Sequence, residues 1–214
     1  MKFFGDIVWL CYNKLSMDKR CGLSFPLNYR ATADLLSASK EKVAQIDEFK
    51  KVRELYPSMT VEEANAISIY TGGDFRSFNS VLRGGDEDML QNWFAVFATL
   101  SSGLRKLPAY QGTVYRGGSS SERVNDNYID AFNRNEPIQE KAFTSSSYEA
   151  TASFQKETGF VIQSNSGVKI DMLSRHPEEK EVLFAPGTWF KVTSVVDRDE
   201  LYIDIHMEEL LVVK

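Results

Sequence analysis

The chain has 214 residues, of which 43% are hydrophobic and 26% charged, with only six prolines. That is enough apolar material for one sizeable core or two small ones, and it excludes a disordered or fibrous chain. A formal charge of -5 and a pI near 5.2 leave no broad basic surface, which argues against a general binder of nucleic acid or anionic lipid but allows a local basic cleft.

The apolar run 3–12 (FFGDIVWLCY) is interrupted by Asp6, is too short to span a bilayer and precedes no small-residue cleavage site, so it reads as a core or docking segment. Cys11 and Cys21 are too sparse for a disulfide framework, and a reduced compartment is the expectation. Over 31–107 apolar residues recur at helical spacing, as at Val43, Ile46, Phe49, Val52 and Leu55. Tyr56-Pro57-Ser58 should stop that helix, Thr60 and Glu63 have capping-box spacing for the next, and Gly72-Gly73 should end it. A short helix carrying Phe75, Phe78, Val81 and Leu82 follows. After Gly84-Gly85 a longer one carries Leu90, Trp93, Phe94, Phe97, Leu100 and Leu104 up to Pro108, and its wide apolar face must be buried.

Beyond Tyr110 the period changes. Short β-branched and aromatic runs at 113–116, 141–145, 160–164, 168–171, 182–185, 189–196 and 201–207 read as strands. One helix is expected among them, starting at Ser146 or Ser147 and reaching about Lys156, with Ser146 and Glu149 as its capping box. Helices followed by strands make the class α+β, with a helical region 1–108 and a β-rich region 109–214. The last residues, Val212-Val213-Lys214, look like part of a strand, so the C-terminal part of a longer protein is one expectation.

Neither His176 nor His206 has a neighbour at metal-ligand spacing, so a zinc site and a Ser-His-Asp triad lack support and metal-free chemistry is expected. P-loop and Rossmann glycine patterns are missing too. Three clusters at predicted strand ends remain. In Val114-Tyr115-Arg116-Gly117-Gly118 an arginine fork could hold an anion that the glycines let approach, although a surface ion pair is the ordinary role of such an arginine. Phe143-Thr144-Ser145-Ser146-Ser147 supplies hydroxyls and also looks like a helix cap. In Glu178-Glu179-Lys180-Glu181-Val182-Leu183-Phe184, Glu179 and Glu181 would point to one side of an extended segment. Like charges so placed repel unless a cation or reacting group lies between them, though a solvated loop softened by Lys180 and Arg175 is the plain alternative.

Taken in order, an arginine-glycine strand, a strand ending Phe-x-Ser-x-Ser, and Glu-x-Glu-Val-Leu-Phe before Pro-Gly and an aromatic strand resemble the arginine-serine-glutamate class of mono-ADP-ribosyltransferases. The likeness covers about 67–196 and begins with Ile69-Tyr70-Thr71-Gly72 through Asn79 to Leu82-Arg83, which looks like the helix pair preceding the NAD+ site of these toxins. The resemblance implies a helical N-terminal half, a mixed or antiparallel β-sandwich core, and one catalytic domain overall. It implies NAD+ as substrate without a metal, and ADP-ribose transfer to arginine.

By the same resemblance Arg116, with Gly117, would hold the NAD+ diphosphate, and Ser145 and Ser147 would support the site. Glu181 would bond the 2′-hydroxyl of the nicotinamide ribose, and Glu179 would select arginine as acceptor. The loop 172–178 would meet the target, and Phe154 or Phe160 would be stacking partners for nicotinamide unless they are core. Ser146 stands where the family's motif has threonine, keeping the hydroxyl and losing a methyl. The implied partners are a target protein bearing an arginine and, as a second partner, an immunity or inhibitor protein. Membrane and nucleic acid are not expected. The implied place of action is a target-cell cytosol, after secretion or injection. The rival readings are an NAD+ glycohydrolase using the same site and a binding module that kept the fold without catalysis.

Overall fold

The computed structural model describes residues 47–84, 87–118, 122–152, 158–197 and 202–211. The apolar run 3–12, both cysteines, the helical stretch before 47 and Phe154 lie outside these residues. The chain divides into two compact units, 1–106 and 107–214.

In the first unit the described elements are helices α1 (Asp47–Leu55), α2 (Val61–Ile69), α3 (Phe75–Gly84) and α4 (Glu87–Leu104). α1 ends ahead of Tyr56-Pro57, and Thr60 caps α2 with the full reciprocal box: its side chain accepts from the Glu63 N–H while the Glu63 carboxylate accepts from the Thr60 N–H. Glu63 is buried and also accepts from Ser102 Oγ and Lys106 Nζ, each at 2.6 Å; these bonds hold its carboxyl low against the opposing effect of burial. α2 (Val61–Ile69) is followed by a widened turn, Tyr70–Asp74, and the helix breaks at the glycine pair as expected: Gly72 leaves helical geometry (φ -81°, ψ -156°), and α3 starts beyond that kink. The aromatic rows read from the sequence meet here: Phe78 packs at 5.0 Å from Trp93 and 5.9 Å from Phe97, with Tyr70 at 6.2 Å.

The second unit holds strands β1 (Gly112–Gly118), β2 (Ile138–Gln139), β3 (Thr144–Ser147), β4 (Thr158–Ser164), β5 (Val168–Lys169), β6 (Glu181–Phe184), β7 (Trp189–Asp197) and β8 (Ile203–Leu210), with helix α5 (Glu122–Arg134) after β1. All eight strands join in the order β2-β7-β8-β4-β1-β3-β6-β5, antiparallel except for the β4–β8 pair. β6 and β7 stand five places apart in that order, roughly 24 Å in a flat sheet. Yet the rings of Phe184 on β6 and Phe190 on β7 lie 5.2 Å apart, and Val182 shares a buried cluster with Val192, Ile205 and Met207. The sheet therefore folds over on itself, and the sandwich core is the space between its halves. The chain crosses from one half to the other through Ala185-Pro186-Gly187-Thr188. Proline sets the second position of this turn, Gly187 takes the left-handed third (φ 86°), and the Thr188 N–H closes it on Ala185 O.

The sequence pattern misplaces one helix. Ser146 and Ser147 begin no helix: β3 runs through both, and after it the described chain makes only a 3-10 turn, Ala150–Ala152. The serine run carries a capping signal, but pairing with β1 on one side and β6 on the other outweighs local preference. The rest of the expected helix falls in 153–157, outside the described residues, and among those described the α-helix of this unit is α5, where no element was expected. Its asparagines and aspartates weaken helix propensity, and its stability comes from half-buried Tyr128, packed edge-on to Phe160 at 5.0 Å.

Candidate active site

Three segments distant in sequence meet around β3. Ser147 pairs with Tyr115 of β1 on one side and with Glu181 of β6 on the other, while Ser145 pairs with Leu183. Residues directly opposite share a face, and so do residues two apart, so Ser145, Ser147 and Glu181 lie on one face of the sheet. Ser146 points the other way and donates to Val182 O at 2.9 Å, a structural bond in which a hydroxyl is all that is required. Ser147 is buried and accepts from the Glu149 N–H at 3.1 Å, fixing the turn out of β3.

Arg116, near the end of β1, donates from Nη1 to Ser145 O at 2.6 Å. That bond takes one of five guanidinium N–H donors and pins a half-buried cation beside the serine strand. Gly117 is half-buried and pairs with Gly159 of β4. Gly118 serves packing: a Cβ there would stand 2.5 Å from Phe160 Cε2. Phe160 itself is a correction to the sequence reading. At 4% exposure, between Gly118 and Tyr128 in the sandwich core, it is a core residue, and its ring is not available to a ligand.

Glu181 opens β6 and is 4% exposed. Burial pushes its carboxyl up to about 7, and the neighbouring Glu179 charge adds to the rise, while a hydrogen bond from Ser145 and the charges of Arg116 and His176 act in the opposite direction. Glu179 is half-buried, and its carboxyl is raised too. Burial is the main cause, with His176 offsetting and Glu178 adding. The two glutamates do not share an extended segment as the alternation argument supposes. Glu179 ends a 3-10 turn, Pro177–Glu179, and Lys180 is left-handed (φ 52°, ψ 47°) before the strand begins. Proline at the first helical position starts the turn, so the carboxylates come near each other through a tight bend rather than through strand pleat. The arrangement offers a fixed cation, a serine-held buried carboxylate and a second carboxylate on a separate turn.

Sequence reasoning overlooked a cluster beside this site. Tyr148, the residue after the triple serine, donates from its backbone N–H to Lys180 O at 3.0 Å and from its phenol to Asp171 Oδ2 at 3.2 Å. Lys169 Nζ sits 3.9 Å from the Tyr148 ring centre and 4.8 Å from that of Tyr110. Only the position of Tyr148 directly behind the serines hinted at a role.

The chain belongs to the NAD:arginine ADP-ribosyltransferase family, which it matches over residues 6–210. It is 36% identical over 137 residues to the putative NAD(+)--arginine ADP-ribosyltransferase Mav of Mycobacterium avium, covering 62% of this chain and 16% of that protein. It is 29% identical over 160 residues to the NAD(+)--protein-arginine ADP-ribosyltransferase Tre1 of Serratia proteamaculans, covering 74% of this chain and 34% of Tre1. The chain thus spans about a third or less of the length of these two relatives. The crystal structure of the ADP-ribosyltransferase HopU1 of Pseudomonas syringae shares the fold, with a TM-score of 0.70 at 22% identity, over 82% of this chain and 87% of that one. Among the described residues no helix is long and apolar enough to cross a membrane.

Proposed function

We propose that this chain transfers ADP-ribose from NAD+ to an arginine side chain of a target protein and releases nicotinamide. The observation that carries the reading is Glu181, a buried carboxylate bonded by Ser145 and placed with Arg116 and Glu179 in one constellation. Arg116 holds the diphosphate. Glu181 accepts the 2′-hydroxyl of the nicotinamide ribose, and Ser145 and Ser147 hold the strand that presents it.

As the bond between nicotinamide nitrogen and the anomeric carbon breaks, the bonding pair leaves with neutral nicotinamide and positive charge grows on the sugar. A carboxylate at Glu181 stabilises that charge more strongly in the transition state than in bound NAD+, which is the differential catalysis needs. A guanidine nitrogen then bonds to the anomeric carbon and loses a proton. Glu179, on its own turn, orients the guanidinium and accepts that proton. Both units act as one catalytic domain, a reading supported by the family match across both. The partner is a target protein, with an immunity or inhibitor protein where a producing cell carries one, and the place of action is a target-cell cytosol.

The test is transfer from labelled NAD+ to the small guanidine agmatine and to proteins in bacterial and eukaryotic lysates, with mapping of the modified side chain. Glu179→Gln should remove transfer and keep part of the NAD+ hydrolysis, whereas Glu181→Ala should remove both. Full agmatine transfer by purified Glu181→Ala would overturn the assignment.

A further inference from the structure

We infer that Tyr148 is a positioning residue for the acceptor side of the reaction: it clasps both ends of the segment 171–180 and so sets where Glu179 stands relative to Glu181. The inference rests on the proposed transfer reaction and adds to it a residue whose chemistry lies outside the arginine-serine-glutamate set.

Eleven residues, 170–180, join β5 to β6. From Asp171, two residues past β5, the segment runs to Lys180, just ahead of Glu181, and it carries Glu179 on its last turn. At the entrance the Ile170 N–H donates to Glu181 O at 3.1 Å, and Leu173 and Ser174 N–H groups turn back on Ile170 and Asp171. At the exit Lys180 is left-handed, and its carbonyl has its bond from the Tyr148 N–H. Tyr148 reaches both: its main chain holds the exit and its phenol holds Asp171 at the entrance.

The ring between those two bonds is itself fixed. Lys169 Nζ lies 3.9 Å from its ring centre and 4.8 Å from that of Tyr110, and the two rings, 6.0 Å apart, flank the ammonium at about a right angle. Tyr148 follows Ser147 directly, and Ser147 pairs with Glu181, so the clasp is rooted in the strand that holds the buried carboxylate. Burial and the Asp171 charge push the phenol up to about 12, so it remains a donor throughout the working pH range. The consequence is a division of labour. Glu181 is placed by the sheet and does not depend on the phenol, whereas Glu179 rides on a turn whose two ends the phenol and its backbone tie together.

Tyr148→Phe keeps the ring over Lys169 and the N–H to Lys180 and removes only the bond to Asp171, so it is the probe least able to unfold the protein. With agmatine as acceptor, Tyr148→Phe should lose about 10- to 100-fold in transfer, while NAD+ hydrolysis without acceptor stays within about twofold. Asp171→Ala, which removes the accepting oxygens, should give the same split, and the double variant no more than the single ones. Hydrogen exchange at the amides of 172–179 should quicken in Tyr148→Phe while those of β6 keep their protection. Parallel loss of transfer and hydrolysis would make Tyr148 a merely structural residue and overturn the inference. So would unchanged exchange at 172–179, a readout that stands even if the wild-type chain transfers nothing to agmatine. That latter result would count against the proposed function instead.

Discussion

Glu181 should cost the folded chain stability, and replacing it with glutamine should return that stability while removing activity. Raising the carboxyl from its ordinary 4.5 to about 7 makes the ionised form about 3 kcal/mol less favourable in the folded chain than in the unfolded one. Between those two values the folded chain holds a proton that the unfolded chain has released, so stability from this group falls as pH rises through the window. Below 4.5 both states are neutral and nothing is lost. Glu181→Gln keeps an oxygen to accept from Ser145 and cannot ionise.

Its stability relative to wild type should therefore improve by about 2 kcal/mol on going from pH 5 to pH 8, equivalent to roughly 4–8 °C in melting temperature for a chain of this size. Urea unfolding of the two proteins at both pH values, followed by tryptophan fluorescence, measures this difference. Other titrating groups cancel when variant and wild type are compared at one pH. A stability difference that is the same at pH 5 and pH 8 would refute the claim that burial of an ionisable Glu181 sets its state.

The same titration should appear in catalysis. If ionised Glu181 is the working form, kcat/KM for NAD+ should rise about tenfold from pH 6 to pH 8 and then level, which initial rates across that range would show. Arg116→Lys keeps the charge but loses the planar fork that bonds Ser145 O and, in the proposed reaction, grips a diphosphate, so kcat/KM for NAD+ should fall by about tenfold or more, chiefly through KM. Gly118→Ala should destabilise the second unit by about 1–3 kcal/mol in thermal unfolding, because the new methyl meets Phe160 at 2.5 Å and Tyr128 blocks the ring from swinging away.

The legible parts of this protein were those where local chemistry and tertiary demand agree. The Thr60 and Glu63 box, the Tyr56-Pro57 stop and most of the apolar strand runs appear where their residue types predict. Disagreement hid the rest. The serine run 145–147 has the composition of a cap and the position of a central strand, and only its two partners, 29 or more residues away, decide between them. α5 was invisible for the converse reason: its own residues are poor helix formers, and a core that the sequence does not display recruits it. Tyr148 could not be found by spacing at all, since its contacts at Tyr110, Lys169, Asp171 and Lys180 are made by the fold.

Placing the serines on a strand rather than a helix end also changes what holds the glutamates. A cap would leave Ser145 and Ser147 on a terminus, free to fray. A strand bonded on both edges fixes Ser145 between the Arg116 guanidinium and the Glu181 carboxylate, so the part of the site proposed to break the bond to nicotinamide is as rigid as the sheet itself. Glu179, by contrast, stands on a 3-10 turn with a left-handed residue behind it. On that proposal acceptor choice rests on the part of the site easiest to reshape without disturbing the chemistry. Substitutions within 171–180 should alter which guanidine is modified long before they alter the rate at which NAD+ is cleaved, and competition between agmatine and arginine-bearing peptides on such variants would measure that separation.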